Sequence, residues 1–447
     1  MSPTDPSQPS PRNVFSRPTN RRQFLIASGG TAAAVSMFGL GACGGSGASK
    51  AGSGDVLMNI SPDVKAIVAK QIAAFNKQNP DGRVTTRITP SDTGQAFDQL
   101  RTQFQGGGTD IDVIMGDIIW PPQFASNGWI SDLSDRFTDA DRAKFIPGVV
   151  TGNTFEDKLY GVPWFTDAGF LYYRSDLLEA AGFSEPPKTW DELRMMAAKV
   201  QKDAGTDNGF VFTGAQYEGG TVLGIEFIRE AGGDILNGDS VIVDSPKAIE
   251  GLTIQQSLVS DGIAPKAVAN FKEDEASGAF LRGDAVFMRM WPYAYDFLGD
   301  KKQSSITAAQ VGLAPLPVAS QGIAPVNVGG GFNFFINAKA GDQDAAYRLI
   351  QYLTDPAQQK TMALDGSYLP TRAALYDDPQ IVKRVPGVRL GKEVVPATTT
   401  PPVSPYYSDM SLVMAKAFNG NILSDTTPEE TASKLKGELE TIIRKGG

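Results

Sequence analysis

The stretch DVIMGDIIWPPQF, residues 112–124, decides the fold class of this chain. Three apolar residues run into Gly116 and Asp117, and two prolines soon afterwards halt regular structure. The run predicts a buried strand from Ile111 to Met115, with Gly116 turning the backbone and Asp117 lying just beyond the strand. An Asp at this place often only caps the following helix by accepting backbone N–H groups. Contact with a ligand is the alternative.

Strands and helices alternate around this run. Short strands are predicted from Val56 to Ile60 and from Val84 to Ile88, and apolar residues recur at helical spacing from Ala66 to Phe75 and from Ala96 to Phe104. The alternation predicts a parallel sheet with helices on both faces. In such sheets ligands bind beyond the carboxyl ends of the strands, which is where Asp117 falls.

Two longer apolar runs follow. Residues Gly161 to Arg174 are expected to form one strand with Asp167 in its middle, and Phe280 to Tyr295 a strand-like run that closes in an aromatic cluster. A charge within an apolar strand is costly unless something uses it, so Asp167 is a candidate for function. The acidic run at 273–275 is expected to be an exposed helix start.

Composition limits the chemistry. The chain has 447 residues, of which 41% are hydrophobic and 20% charged, so it is long enough for two domains. It has no histidine and one cysteine, which excludes imidazole catalysis and zinc or iron sites that depend on those ligands. No phosphate-binding loop is visible, and we expect no cofactor, no bound metal and no catalytic residue. A net charge of −9 argues against binding to nucleic acid.

The N-terminus has the pattern of an export signal. Residues 20–25, NRRQFL, form a twin-arginine pattern before a short, Gly-rich apolar stretch. The sequence LGAC then places the only cysteine, Cys43, in what resembles a bacterial lipobox. We therefore predict a signal peptide over 1–42, a lipidated Cys43, and a Gly/Ser linker over 43–54. The protein is expected outside the cytoplasm, attached to the outer face of the cell membrane by lipid alone.

Five landmarks along the chain carry a family resemblance. They resemble, in the same order, those of extracellular solute-binding protein family 1, the sugar-binding lipoproteins of ATP-driven (ABC) importers, over nearly all of residues 55–443. The trehalose/maltose-type binders are the most similar. The landmarks are DVIMGDIIWPPQFASNGWISDL, GVPWFTDAGFLYYRSDLLEAAG with PPKTWDEL, GDAVFMRMWPYAY, GGGFNFFINAKA and LPTRAALYDDP.

The resemblance implies an α/β fold of the periplasmic-binding-protein type II. Each of two lobes would have a central sheet flanked by helices, and the ligand cleft would lie between the lobes. By this analogy one lobe holds residues 55–166 and 327–374, and the other holds 167–326 and 375–447.

The resemblance also assigns site residues. Asp117 matches a family Asp that binds sugar hydroxyls, Asp167 a polar residue on a crossing strand, and Trp291 the aromatic plate of the cleft. The complete set of ligand-binding candidates is Asp63, Asp117, Asp167, Glu218, Trp291, Tyr293, Gly330, Gly331 and Phe332. One departure is Pro401, which stands where trehalose-type relatives have an Arg that contacts the disaccharide, and this departure counts against trehalose as the ligand.

The implied function is capture of a carbohydrate without catalysis. Aromatic rings cover the apolar face of a pyranose, and carboxylates accept from its hydroxyls. A monomer would deliver a di- or oligosaccharide to ABC permease subunits served by a cytoplasmic ATPase. Two alternatives stay open at this point. One is a cell-surface glycoside hydrolase that pairs Asp117 with Asp167 or Glu218, and the other is a receptor of the same fold for a peptide or a polyamine.

Overall fold

The computed structural model describes residues 54–238 and 240–446. The predicted signal peptide, Cys43 and nearly all of the predicted linker lie outside these residues. None of the helices in the described ranges is long and apolar enough to cross a membrane.

Sixteen strands are present in the described ranges. They are β1 Val56–Ile60, β2 Val84–Ile88, β3 Val113–Asp117, β4 Thr154–Phe155, β5 Lys158–Leu159, β6 Gly161–Asp167, β7 Phe170–Arg174, β8 Asn208–Val211, β9 Leu236–Asn237, β10 Ser240–Val241, β11 Ala285–Met290, β12 Val311–Ala314, β13 Asn327–Val328, β14 Gly330–Ile336, β15 Leu369–Pro370 and β16 Thr398–Thr399.

Sixteen α-helices occur in the same part of the chain. They are α1 Lys65–Gln78, α2 Thr93–Gln105, α3 Pro121–Ser126, α4 Asp139–Arg142, α5 Pro147–Thr151, α6 Ser175–Ala180, α7 Trp190–Ala204, α8 Glu218–Glu230, α9 Pro246–Ser260, α10 Glu273–Leu281, α11 Gln343–Leu353, α12 Pro356–Gly366, α13 Pro379–Arg384, α14 Pro386–Val394, α15 Tyr407–Leu423 and α16 Pro428–Gly446. Short 3₁₀ segments are Pro62–Val64, Lys266–Asn270, Pro292–Gly299, Ala308–Gln310, Ala373–Asp377 and Val395–Ala397.

The first lobe is built on a six-stranded sheet in the order β15-β6-β14-β3-β1-β2. Its strand β3 is buried on both faces, because Val113 and Met115 join one core cluster with α1 and α11, and Ile114 joins another with α2. A strand covered on both faces is apolar throughout, which explains the VIM run. Gly116 is needed there because a Cβ atom would lie 2.5 Å from the ring of Phe335 and 2.6 Å from that of Trp120.

The predicted parallel sheet is confirmed for β1, β2 and β3 and wrong for the rest of the sheet, which is mixed. Strands β1, β2 and β3 are parallel to each other, but β14 runs antiparallel to both β3 and β6. Strand β14 arrives from a distant part of the chain, and the local alternation of strand and helix that predicted a parallel sheet does not govern its direction. The strand β3 also continues through Asp117, two residues beyond the predicted end.

The second lobe is built on a four-stranded sheet in the order β12-β7-β11-β8. Helices α7, α8, α9, α15 and α16 contribute to its largest core cluster. The run Gly161 to Arg174, predicted as one strand, is divided between the lobes, with β6 in the first sheet and β7 in the second. Gly169 lies at the break, where a Cβ atom would be 2.7 Å from a carboxylate oxygen of Glu226 and 2.8 Å from the guanidinium of Arg289.

The run Phe280 to Tyr295 is strand only from Ala285 to Met290. Helix α10 ends at Leu281, and Pro292 begins a 3₁₀ turn directly after Trp291. Because proline supplies no N–H for the sheet, the strand stops where the aromatic cluster begins.

Candidate functional site

Asp117 lies at the end of β3, opposite Phe332 at the start of β14. Its half-buried carboxylate accepts the backbone N–H of Ile119 at 3.2 Å and the hydroxyl of Thr93 at 3.4 Å. Burial raises the pKa of Asp117 to about 7, and the negative charge of Glu218 adds to the rise. These hydrogen bonds are long, so the oxygens of Asp117 can still accept hydrogen bonds from a ligand.

Asp167 lies at the end of β6, directly opposite Gly330 on β14. Its side chain is buried, and its Oδ1 atom has no hydrogen-bond partner among the described residues. Burial raises the pKa of Asp167 well above its usual range; the charge of Arg289 opposes this rise and that of Asp117 adds to it. Strand β14 thus brings Asp117 and Asp167 to the same end of the sheet, one on each side.

Glu218 is the first residue of α8, in the second lobe. Its half-buried carboxylate accepts the hydroxyl of Tyr407 at 2.6 Å and that of Ser411 at 2.5 Å. Burial raises the pKa of Glu218, these two hydrogen bonds lower it, and the charge of Asp92 raises it further. The negative charge of Glu218 also raises the pKa of Asp117, which lies in the other lobe.

Trp291 is held between the strands of both lobes. The guanidinium carbon of Arg289 lies 3.9 Å from the ring centroid, in cation–π contact. A Cβ atom at Gly330 would lie 3.2 Å from two atoms of the ring, so glycine there leaves room for the indole. The hydroxyl of Tyr172 donates to the Trp291 carbonyl at 2.8 Å and fixes the backbone. The half-buried ring is consequently a rigid plate.

Gly331 and Phe332 have packing reasons of their own. Gly331 has a φ of +117°, and a Cβ atom there would lie 2.4 Å from the carbonyl oxygen of Phe165. The ring of Phe332 lies 5.4 Å from that of Phe165 at the edge of the first-lobe core. These contacts within the sheet explain both residues without a ligand.

Asp63 follows β1, and Tyr293 lies in the 3₁₀ segment after Trp291, where its ring packs against core residues of both lobes. Asp63 is exposed, and the hydroxyl of Ser61 donates to it at 2.7 Å. Burial raises the pKa of Tyr293 well above its usual range, and the charges of Glu273, Asp167 and Asp63 raise it further. The phenol of Tyr293 thus lies within the field of carboxylates from both lobes.

Sequence reasoning missed the ion pair behind Trp291. Arg289 on β11 is buried, and its Nε and Nη2 atoms donate to the two oxygens of Glu226 at 2.8 and 2.6 Å. Glu226 also accepts the backbone N–H of Val328, at 3.2 Å, next to the strand that carries Gly330. A charge inside the apolar run FMRM was the available signal, of the same kind that singled out Asp167.

Glu273 was also missed, because the acidic run was expected to be exposed. Asp274 and Glu275 are exposed, but Glu273 is half-buried, and burial raises its pKa. Its charge acts on Tyr293 as well. The first carboxylate of the run therefore belongs to the cleft, and only the next two fit the prediction.

A small cavity of about 50 Å³ lies between the lobes beside Glu218. It is lined by Phe97, Ile119, Trp120, Gln123, Glu218, Tyr407, Ser408, Ser411 and Leu412. Small-molecule pockets usually have volumes of roughly 300 Å³ or more, so this cavity has room only for a few waters. Within the described ranges, no group of three or more Asp, Glu, His or Cys side chains has the geometry of a metal site.

Comparison with known proteins identifies relatives over most of the chain. The sequence profile described as bacterial extracellular solute-binding protein matches residues 60–360. A probable ABC transporter-binding protein of Deinococcus radiodurans is 35% identical over 369 residues, which cover 80% of this chain and 86% of that protein.

Solved structures have the same architecture. Maltose-bound MalE3 of T. maritima superimposes with a TM-score of 0.81 at 33% identity, covering 87% of this chain and 99% of that one. The GacH receptor of Streptomyces glaucescens, solved unliganded and with acarbose, has a TM-score of 0.78 at 22% identity, over 87% of this chain and 98% of its own. The predicted two-lobed α/β fold is confirmed.

Proposed function

The chain is a member of the bacterial extracellular solute-binding protein family, and from this membership we propose that it captures a di- or oligosaccharide for an ABC importer. The observation that supports the proposal most is the placement of three carboxylates at the cleft: Asp117 and Asp167 lie at one end of the first sheet, Glu218 faces the first lobe across a small cavity, and Trp291 rests against Gly330 opposite Asp167. Two of these carboxylates come from strands that flank β14, and the third comes from the second lobe. A ligand that touches all three would hold the lobes together.

The residue types suit a sugar. The Trp291 ring can cover the C–H face of a pyranose, and each carboxylate can accept from neighbouring hydroxyls in charge-assisted hydrogen bonds. Each such bond contributes about 1.5 to 3 kcal/mol net, which after the cost of association supports roughly micromolar affinity. The relative solved with bound maltose agrees with this ligand class.

We propose no catalytic role for these acids. A glycosidase needs one carboxyl group with a raised pKa and a second that stays ionised. Burial raises the pKa values of Asp117, Asp167 and Glu218 alike, so the environment does not separate an acid from a nucleophile. A hydrolysis assay on disaccharides that showed turnover, lost in Asp117→Asn, would overturn this part of the proposal.

We further propose export and tethering through the N-terminus. The twin-arginine pattern and the lipobox cysteine support a lipoprotein held at the outer face of the membrane, acting as a monomer beside its permease, with residues 55–166 and 327–374 in the first lobe. Labelling of the wild type with radioactive palmitate, absent in Cys43→Ser, tests the anchor. Equal labelling of the two proteins would exclude lipidation at this residue.

Calorimetric titration with a panel of ligands tests the proposed function. The panel contains maltose, maltotriose, trehalose, a peptide pool and spermidine. We expect micromolar binding of at least one α-linked glucoside and no heat with peptides or spermidine. Binding of spermidine alone would favour the polyamine receptor instead, because three carboxylates also suit a cationic ligand.

A further inference from the structure

An ion pair joins the two lobes at the rim of the cleft. The Nζ atom of Lys272, just before α10, lies 2.6 Å from an oxygen of Asp92, just before α2. Asp92 belongs to the lobe of the six-stranded sheet, and Lys272 to that of the four-stranded sheet. The Asp92 side chain is only 14% exposed and that of Lys272 is 43% exposed, so the pair is partly shielded from water.

Both partners are held in place by other contacts. The second oxygen of Asp92 caps α2 by accepting the backbone N–H of Gln95 at 3.0 Å. The ammonium group of Lys272 also lies 4.9 Å from the ring centroid of Tyr217, in cation–π contact. Because both side chains are already oriented within their own lobes, little rotamer freedom is lost when they meet.

The pair adjoins the ligand-binding candidates on each side. Asp92 precedes Thr93, whose hydroxyl donates to Asp117. Tyr217, on which Lys272 rests, precedes Glu218. Closure of this contact therefore brings the segments that carry Asp117 and Glu218 together. Lys272 also compensates Asp92, whose charge raises the pKa of Glu218.

We propose that Asp92 and Lys272 form a latch between the lobes that holds the closed form and slows release of the ligand. They are positioning residues, which act on the ligand by fixing the distance between the lobes. Measurement of ligand release rests on the proposed function. The latch also determines how often the empty protein closes, and that fraction can be measured without a ligand.

The test compares Lys272→Met with Lys199→Met by stopped-flow binding of maltose. Lys199 is a matched control, because it pairs with Asp203 at 2.7 Å within α7 and has a similar exposed fraction, 47%. We expect Lys272→Met to raise the dissociation rate about three- to fivefold and to leave the association rate unchanged, whereas Lys199→Met changes neither. Raising the salt concentration should speed dissociation from the wild type and not from Lys272→Met.

Charge reversal and a distance measurement complete the test. Asp92→Lys combined with Lys272→Asp should recover part of the slow dissociation that either single change loses. In the empty protein, energy transfer between a dye on each lobe should show fewer closed molecules for Lys272→Met than for Lys199→Met. Equal dissociation rates and equal closed fractions in the two variants would overturn the latch. If no sugar binds at all, the proposed function fails, and the closed fraction alone decides the latch.

Discussion

The buried acid behind the Trp291 plate and the acids that line the cleft differ in how they are paired. Behind the ring, Glu226 accepts two hydrogen bonds from Arg289 and a third from a backbone N–H, and both side chains are fully buried. At the cleft, Asp117 accepts long hydrogen bonds from the Thr93 hydroxyl and the Ile119 N–H, and the nearest charge acting on it is that of Glu218, another acid. A carboxylate that is paired with a cation thus stabilises the fold. A carboxylate without a cation can still accept hydrogen bonds from a ligand.

The largest effect is expected on stability, from Glu226→Gln. This change leaves the Arg289 guanidinium buried without its bidentate partner, which should cost about 3 to 5 kcal/mol of unfolding free energy. Denaturant unfolding of the variant and the wild type measures the loss. The charge of Arg289 also acts on two other buried acids, Asp167 and Glu230. A loss below about 1 kcal/mol would mean that one of them replaces Glu226 as counterion, and that pairing does not distinguish the buried acid from the cleft acids.

Removal of the aromatic plate should act on the ligand. Trp291→Ala takes away the apolar surface against which a sugar ring would stack, and affinity should fall tenfold or more, about 1.4 kcal/mol. Trp291→Phe is the control, because it keeps an aromatic face and should lose less. Unchanged affinity in Trp291→Ala, measured by calorimetry, would remove this residue from the site.

Asp117→Asn should weaken the ligand about tenfold without destabilising the fold. The folded-state pKa, about 7, lies above the unfolded value of about 3.9, so the wild type loses stability relative to the neutral variant as the pH rises from about 4 to 7. We therefore expect the variant to melt about 1 to 2 °C above the wild type at pH 8, with a smaller difference at pH 5. A variant less stable at pH 8 than the wild type would show that Asp117 serves the fold.

The smallest effect is expected at the surface. Arg87 and Asp110 form a 2.6 Å ion pair in which both side chains are well exposed. Arg87→Ala should change the unfolding free energy by less than about 1 kcal/mol and leave sugar affinity unchanged. A larger loss of stability would show that short distance alone, without burial, makes a carboxylate structural in this protein.

Much of the fold was predictable because apolar periodicity is local. The strands β1 and β2 agree with their predicted positions, and the helices α1 and α2 contain the two runs predicted as helical. The direction of β14 and the division of residues 161–174 between two sheets were not predictable, since periodicity does not show which strand lies beside which. For the same reason the contact between Asp92 and Lys272 was not predictable, because neither residue departs from the pattern of its own segment.

The site was predictable where a charge interrupted an apolar strand. Asp117 and Asp167 met this condition, and both lie at one end of the first sheet. Arg289 met this condition too, but in the apolar run Phe280 to Tyr295 only Trp291 and Tyr293 were selected as candidates. Glu273 could not be found, because its two exposed acidic neighbours give the whole run the pattern of a solvated helix start.

Calorimetric titration of maltose into the wild type, Asp117→Asn and Glu226→Asp at pH 8 tests most directly which carboxylates bind the ligand. We expect micromolar binding by the wild type, about tenfold weaker binding by Asp117→Asn, and nearly unchanged affinity in folded Glu226→Asp, which keeps a counterion for Arg289. Equal affinity in the wild type and Asp117→Asn would contradict the claim that the carboxylates left without a cation are the ones that bind the sugar.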